Sequence, residues 1–152
     1  MSEYKSILFA EDNPKDTELT LETFEDSHLL NRVVHVKDGV EAMEYLRREG
    51  KYSERKSGNP AVVILDIKMP RMDGLEVLRE IRADLVLRMI PVVILTSSRE
   101  ERDLIQSYEL GINAYVVKPV KFSEFVDAVR QIGGFWAILN ELPPDGASIH
   151  ER

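Results

Sequence analysis

Four short apolar runs, rich in Val, Ile and Leu, restrict the fold of this chain more than any other feature of its sequence. Continuous apolar runs of this length are typical of strands that are buried on both faces, as in a parallel sheet. Each run is closed by polar residues: Glu11-Asp12 after 5–10, Asp66 after 61–65, Thr96 after 91–95 and Lys118 after 114–117. Segments with helical spacing separate the runs, and this alternation predicts an α/β fold with a doubly wound sheet.

The remaining segments complete a predicted parallel sheet of five strands flanked by five helices. The shorter run Val33–Val36 predicts an edge strand, and the polar residues 48–60 predict a long exposed loop. Helices are predicted to begin after Asn13, after Asp38-Gly39, before Leu75, near Ser98 and near Phe122, the fourth ending near Gly111. Their expected apolar faces are Leu19, Leu21 and Phe24 in the first helix and Leu75, Leu78, Ile81 and Leu85 in the third.

The polar residues that close the strands predict a phosphate site. Ligands of open α/β sheets bind outside the carboxyl ends of the strands, so we expect these side chains to meet at one edge. Glu11, Asp12 and Asp66 would repel one another there unless a cation neutralised them. Mg²⁺ favours a few carboxylate oxygens together with substrate phosphates. The hydroxyl of Thr96 and the ammonium of Lys118 can bind phosphoryl oxygens.

Each of these residues also has a plainer interpretation when taken alone. Acidic residues such as Glu11 and Asp12 are common near helix starts, where the helix dipole favours them. A threonine such as Thr96 can cap a helix, and Lys118 can be an ordinary surface lysine. Asp66, at the end of a buried strand, would need backbone donors to offset its desolvation. Only the metal and phosphate hypothesis explains why all of them close buried strands.

Composition excludes several other classes of protein. With 152 residues, the chain is expected to form one domain. The absence of cysteine excludes disulfides, thiol catalysis and zinc-thiolate sites. A net charge of −7 works against nonspecific binding to nucleic acid. No apolar stretch is long enough for a membrane span and no signal segment is present, so we expect a cytoplasmic protein that does not bind membranes.

The C-terminal region predicts an interaction surface. The last helix is expected to continue through Gly133-Gly134, because the apolar residues keep one helical phase across them. A further apolar group comprises Phe135, Trp136, Ile138 and Leu142, which we expect to form a homodimer or partner surface unless the tail folds back over it. The expected domain therefore spans residues 1–142, with a flexible tail at 143–152.

Taken together, the motifs resemble the receiver domain of two-component response regulators. The matching stretches are residues 7–13, 65–74 (Leu-Asp-Ile-Lys-Met-Pro-Arg-Met-Asp-Gly), 95–98 and 115–119, and the resemblance extends from residue 5 to about residue 132. It implies a flavodoxin-like fold and a function as a single-domain response regulator. It also implies that Asp66 accepts a phosphoryl group from the phosphohistidine of a sensor histidine kinase or phosphotransfer protein.

The resemblance further implies the roles of the individual site residues. Glu11, Asp12, Asp66 and the backbone carbonyl of Lys68 would hold Mg²⁺. Thr96 and Lys118 would bind the aspartyl phosphate, and Tyr115 would be an aromatic switch whose side-chain conformation follows Thr96. The Lys118–Pro119 peptide bond would be cis. Such a protein is not an enzyme toward other substrates and catalyses only its own phosphorylation and dephosphorylation.

Two positions depart from the family pattern. The family usually has Asp where this chain has Glu11, which implies a shifted metal affinity. Lys121 stands where a helix-capping Asp or Asn is common, which implies a weaker cap.

Within the family, the chain resembles regulators that partner bacterial phytochromes and similar kinases, on the basis of residues 11–14, the long loop at 48–60 and Phe135-Trp136. Two alternatives remain open. A haloacid-dehalogenase-like phosphatase would also use Asp66 as nucleophile, but it usually carries a second Asp where this chain has Lys68. A phosphorylation-independent adaptor of this fold loses site residues that this chain retains.

Overall fold

The computed structural model describes residues 5–98 and 114–132. These residues form one parallel sheet with the strand order β2-β1-β3-β4-β5. The strands are β1 (Ile7–Ala10), β2 (Val33–Val36), β3 (Val62–Asp66), β4 (Val92–Thr96) and β5 (Ala114–Val117). The described α-helices are α1 (Pro14–Asp26), α2 (Gly39–Arg47), α3 (Gly74–Ala83) and α4 (Phe122–Gln131). The predicted five-stranded α/β fold is confirmed, while the helix predicted from Ser98 to Gly111 falls almost entirely outside the described residues.

Alternate residues of the central strands are buried in two separate cores. Leu8, Val63 and Ile94 point to the core that includes residues of α2 and α3. Phe9, Ile64 and Leu95 point to the opposite core, which includes residues of α1 and α4. Every residue of β1, β3 and β4 is buried, as expected for strands covered on both faces. The edge strands β2 and β5 are only partly buried.

Local capping chemistry fixes the helix starts near the predicted site. The side chain of Asn13 accepts a hydrogen bond from the backbone N–H of Asp16 at 2.9 Å, and Pro14 occupies the first turn of α1. A capping box between Asp73 and Glu76 begins α3. Lys121 precedes α4 without a side-chain capping bond, which confirms the expected weak cap.

The end of α3 corrects one sequence prediction. Leu75, Leu78 and Ile81 are buried as expected, but Leu85 lies beyond the helix and is 80% exposed. The carboxylate of Asp84 accepts hydrogen bonds from the backbone N–H groups of the residues two and three positions later, which turns the chain. This turn brings Leu87 into the core in place of Leu85.

The loop at 48–60 is more structured than its composition suggests. It contains a short 3-10 helix at Gly50–Tyr52, and the ring of Tyr52 packs edge-on against Tyr45 of α2. The guanidinium of Arg55 lies 4.2 Å from the centre of the Tyr45 ring and donates to the Tyr45 carbonyl. Because the last carbonyls of a helix lack partners within it, Arg55 acts as a cap that anchors the loop to α2. Among the described residues, no helix is long and apolar enough to cross a membrane.

Candidate functional site

The sheet brings the predicted site residues to one edge. Glu11 and Asp12 directly follow β1, Asp66 and Thr96 are the last residues of β3 and β4, and Lys118 directly follows β5. The register places Ala10 beside Leu65 and Asp66 beside Leu95, so the carboxyl ends of three neighbouring strands are level. The site therefore lies where open parallel sheets bind ligands.

Three carboxylates form a compact group that fits a divalent cation. Glu11, Asp12 and Asp66 each offer an oxygen, and these oxygens lie within 4.8 Å of one another. Glu11 and Asp66 are buried, whereas Asp12 is exposed. Hard oxygen donors with one ligand open to solvent match the preference of Mg²⁺ for carboxylates and retained waters.

The ammonium of Lys118 is the centre of a network of carboxylates. Its Nζ lies 2.8 Å from Asp66 Oδ1, 2.9 Å from Asp16 Oδ2 and 3.2 Å from Glu11 Oε1. The Lys118–Pro119 peptide bond is cis, as predicted. The backbone N–H of Lys118 donates to the carbonyl of Thr96. Asp16 lies in the first turn of α1 and was not among the predicted site residues. Its place four residues after Asp12 was the signal that could have identified it.

The hydroxyl of Thr96 is buried and finds no hydrogen-bond partner among the described residues. Leaving such a group unpaired costs about 1–3 kcal/mol, so buried polar groups of this kind call for an explanation. A hydroxyl at the strand end beside Asp66 is suited to donate to an oxygen of a bound anion. Its unpaired state therefore fits a phosphoryl ligand.

The loop from β3 to α3 carries Lys68 and is held tightly at both ends. Gly74 N–H donates to the Ile67 carbonyl at 3.0 Å, and Gly39 N–H donates to the Met72 carbonyl at 3.0 Å. The side chain of Lys68 itself is exposed. Fixing this short segment fixes the path of the Lys68 backbone beside Asp66.

Of the remaining predicted residues, the structure describes Tyr115. Tyr115 is half-buried on β5, paired in register with Ile94, and packs against the core that contains α2 and α3. The predicted interaction surface of Phe135, Trp136, Ile138 and Leu142 lies outside the described residues.

The electrostatics of the site favour the protonated forms of Glu11, Asp66 and Lys118. Burial raises the pKa of Glu11 to about 7, with a further contribution from the charge of Asp66. Burial also raises the pKa of Asp66, although Lys118 opposes this shift. Burial acts to lower the pKa of Lys118, but its contacts with Asp66 and Asp16 raise it above the ordinary value. Without a cation, the site thus holds more negative charge than it can easily accommodate.

The raised pKa of Glu11 predicts how the stability of the metal-free protein changes with pH. Between the ordinary value of 4.5 and the folded value of about 7, the folded state binds more protons than the unfolded state. Unfolding free energy should therefore fall as pH rises through this range, by roughly 1–3 kcal/mol from Glu11. Glu11→Gln should remove this part of the slope.

Urea unfolding with EDTA at several pH values between 4.5 and 8 measures the effect. Glu22→Gln, which changes an exposed residue of α1, is the matched control. Parallel stability curves for wild type and Glu11→Gln would contradict the prediction.

Comparison with known proteins agrees with this geometry. A family model for the response regulator receiver domain matches residues 7–130. Response regulator Rcp1 from Synechocystis sp. (strain ATCC 27184 / PCC 6803 / Kazusa) is 37% identical over 139 residues, covering 91% of this chain and 93% of Rcp1. The crystal structure of its Mn(2+)-bound form matches with a TM-score of 0.68, covering 91% of this chain and 99% of the other.

Two further solved structures are similar over most of their length. The bacteriophytochrome response regulator AtBRR is 56% identical, with a TM-score of 0.86 and coverage of 92% of this chain and 100% of the other. The phosphorylated cyanobacterial phytochrome response regulator RcpA is 41% identical, with a TM-score of 0.69 and coverage of 88% and 94%.

These matches bear out the predicted family, and they give no support to a haloacid-dehalogenase-like phosphatase or a phosphorylation-independent adaptor. A receiver domain is generally not a metabolic enzyme. Receiver domains work in a phosphorelay with histidine kinases and bind Mg²⁺ in an acidic pocket. The group of Glu11, Asp12 and Asp66 is an acidic cluster of this kind that could hold a metal ion. The chain belongs to the response regulator receiver domain family.

Proposed function

We propose that Asp66 accepts the phosphoryl group and that this chain acts as a single-domain response regulator. The observation that carries the proposal is the position of the Lys118 ammonium, 2.8 Å from Asp66 Oδ1 at the centre of the acidic group. Asp66 is 4% exposed and lies at the carboxyl end of β3, at the edge of the sheet where the other site residues lie.

The transfer needs little covalent chemistry from the protein. A carboxylate oxygen of Asp66 attacks the phosphorus of a phosphohistidine, and a bond forms between that oxygen and the phosphorus. The bond from phosphorus to the imidazole nitrogen breaks, and its electron pair stays on the nitrogen. Lys118 and Thr96 bind phosphoryl oxygens and stabilise their charge, as positioning and electrostatics dominate phosphoryl transfer.

Mg²⁺ would be held by Glu11, Asp12, Asp66 and the backbone carbonyl of Lys68. When bound, it neutralises charge on the phosphoryl oxygens. The close approach of three carboxylate oxygens supports this set of ligands. Calorimetric titration of Asp12→Ala with Mg²⁺ tests it, because affinity equal to that of wild type would place the metal elsewhere.

The phosphorylated state would be communicated through Thr96 and Tyr115. Phosphorylation gives the unpaired Thr96 hydroxyl a partner, and Tyr115 lies on the adjacent strand β5. Thr96→Ala should then accept phosphate but lose the conformational response. NMR shift changes around Tyr115 on activation measure this response. Shift changes in Thr96→Ala that are identical to those of wild type would refute the coupling.

The partner would be a cytoplasmic histidine kinase of the phytochrome type. The names of AtBRR and RcpA, together with identities of 56% and 41%, support this assignment. Neither nucleic acid nor a membrane would take part. Phosphotransfer from a panel of purified kinases would identify the partner.

The domain would span residues 1–142, with a tail at 143–152. Phe135, Trp136, Ile138 and Leu142 would form a homodimer surface, supported by the apolar pattern of the sequence. Sedimentation of wild type and of Phe135→Glu with Ile138→Glu tests the surface. A wild-type monomer at every concentration, with and without beryllofluoride, would exclude the dimer.

A direct test of the proposed function combines two phosphoryl donors. Wild-type protein, incubated with Mg²⁺ and either acetyl phosphate or a phosphorylated kinase, should acquire one phosphate on the peptide that contains Asp66. The linkage should be cleaved by hydroxylamine, as an acyl phosphate is. Steady release of p-nitrophenol from p-nitrophenyl phosphate, without a labelled protein, would instead indicate a phosphatase.

A further inference from the structure

The Lys118 ammonium has three protons and, among the described residues, three carboxylate partners. Two of those partners have another task. Glu11 and Asp66 belong to the acidic group that fits the cation, and Asp66 is the proposed phosphoacceptor. Asp16 is not part of that group, yet its Oδ2 lies 2.9 Å from Lys118 Nζ, as close as Asp66 Oδ1 at 2.8 Å. Of these three carboxylates, Asp16 is therefore the one that remains free to hold the ammonium throughout the reaction.

A closed ring of hydrogen bonds fixes Asp16 in place. Lys118 Nζ donates to Glu11 Oε1 at 3.2 Å, and the Asn13 N–H donates to Glu11 Oε2 at 3.2 Å. The Asp16 N–H donates to Asn13 Oδ1 at 2.9 Å, and Lys118 Nζ donates to Asp16 Oδ2 at 2.9 Å. If Glu11 turns toward a cation, the ring opens at Glu11, but the cap from Asn13 to Asp16 does not depend on Glu11.

Building on the proposed function, we infer that Asp16 is a positioning residue that keeps the Lys118 ammonium beside Asp66 when Glu11 and Asp66 engage the cation and the phosphoryl group. A lysine side chain has four flexible carbons, so its ammonium needs a fixed acceptor to stay in one place. The Asp16 side chain is 34% exposed, so solvent screens its charge and its main contribution is the hydrogen bond.

Two substitutions separate the hydrogen bond from the charge. Asp16→Asn keeps an oxygen acceptor of the same size, whereas Asp16→Ala removes it. With acetyl phosphate and saturating Mg²⁺, Asp16→Ala should be phosphorylated about tenfold more slowly than wild type, the effect of one lost charge-assisted hydrogen bond. Asp16→Asn should recover most of the rate. A small donor is used so that an effect of the substitution on kinase binding cannot influence the rate.

Two further measurements exclude a merely structural effect. The Mg²⁺ dissociation constant of Asp16→Ala should stay within about twofold of wild type, because Asp16 lies outside the ligand group. The NMR signal of the Lys118 ammonium protons, seen with Mg²⁺ and beryllofluoride, should be lost in Asp16→Ala through faster exchange. Glu22→Ala, an exposed change on the same helix, should match wild type in all three measurements.

An Asp16→Ala rate equal to that of wild type would overturn the inference, because Asp16 would then not be needed to position Lys118. A rate above that of wild type would overturn it as well, because Asp16 would then compete with the phosphoryl group for Lys118. A parallel loss of Mg²⁺ affinity would overturn it as well. Wild type is measured beside the variants: if it takes up no phosphate, the proposed function fails, whereas a labelled wild type with an equally fast Asp16→Ala refutes only the role of Asp16.

Discussion

Asp66→Asn should abolish phosphorylation by both acetyl phosphate and a histidine kinase. An amide oxygen is a poor nucleophile toward phosphorus. Within the acidic group of Glu11, Asp12 and Asp66, the carboxylate of Asp66 lies closest to the Lys118 ammonium. The variant should remain folded, because it removes one of three mutually repelling carboxylates. We expect its metal-free stability to equal or exceed that of wild type. Quantification of the labelled protein by Phos-tag electrophoresis or intact mass measures the loss.

Asp26→Asn, a change of an exposed aspartate at the end of α1, is the matched control and should be labelled like wild type. Label on Asp66→Asn at the wild-type level would show that another residue accepts the phosphate. Slow labelling of Asp12 in the variant would contradict the complete loss expected here, although the acidic group would still be the reaction centre.

Gly74→Ala should destabilise the protein by about 2–4 kcal/mol, because the new methyl group has no space. A Cβ at Gly74 would lie 2.3 Å from the Asp66 carbonyl oxygen and 3.0 Å from the Ile67 Cα. Both obstacles are backbone, so relief requires that β3 and α3 move apart. The shift would displace the Asp66 carboxylate from Lys118, so phosphorylation should also fall sharply in the fraction that remains folded.

Gly58→Ala adds the same methyl group where nothing lies within 4 Å, and it should change stability by less than about 1 kcal/mol. Urea unfolding of both variants, followed by phosphorylation under native conditions, measures the two effects. Equal midpoints for the two variants would mean that the contact between α3 and the end of β3 is looser than the structure shows.

The sequence predicted the sheet and the edge where the site lies because both depend on a one-dimensional pattern. Buried parallel strands must be continuously apolar, and because they run in the same direction, their carboxyl ends lie at one edge of the sheet. The positions of Glu11, Asp66, Thr96 and Lys118 followed from this rule alone. Their chemistry as a set could then be inferred from the residue types.

What the sequence did not reveal depends on side-chain reach and local turns. Asp16 reaches the site because it lies in the first turn of α1, which brings its carboxylate to the Lys118 ammonium. Leu85 matched the helical spacing, but the turn at Asp84 leaves Leu85 exposed and buries Leu87 instead. Leu19, expected on the apolar face of α1, is 39% exposed, while Thr20 is buried. Three-dimensional packing determines which of these residues are buried, and the periodicity of the sequence does not reveal it.

The anchored loop at 48–60 offers a place to attach a reporter. Arg55 holds this loop to the end of α2, and the loop leads into the amino end of β3, at the opposite end of the strand from Asp66. Gly58 is exposed there with open space around it, and the chain has no cysteine. Gly58→Cys would therefore introduce a unique thiol, and the fluorescence anisotropy of a dye at this thiol would follow the tumbling of the whole domain. Association with a kinase or with a second copy could then be monitored in real time without a probe near the phosphoryl site.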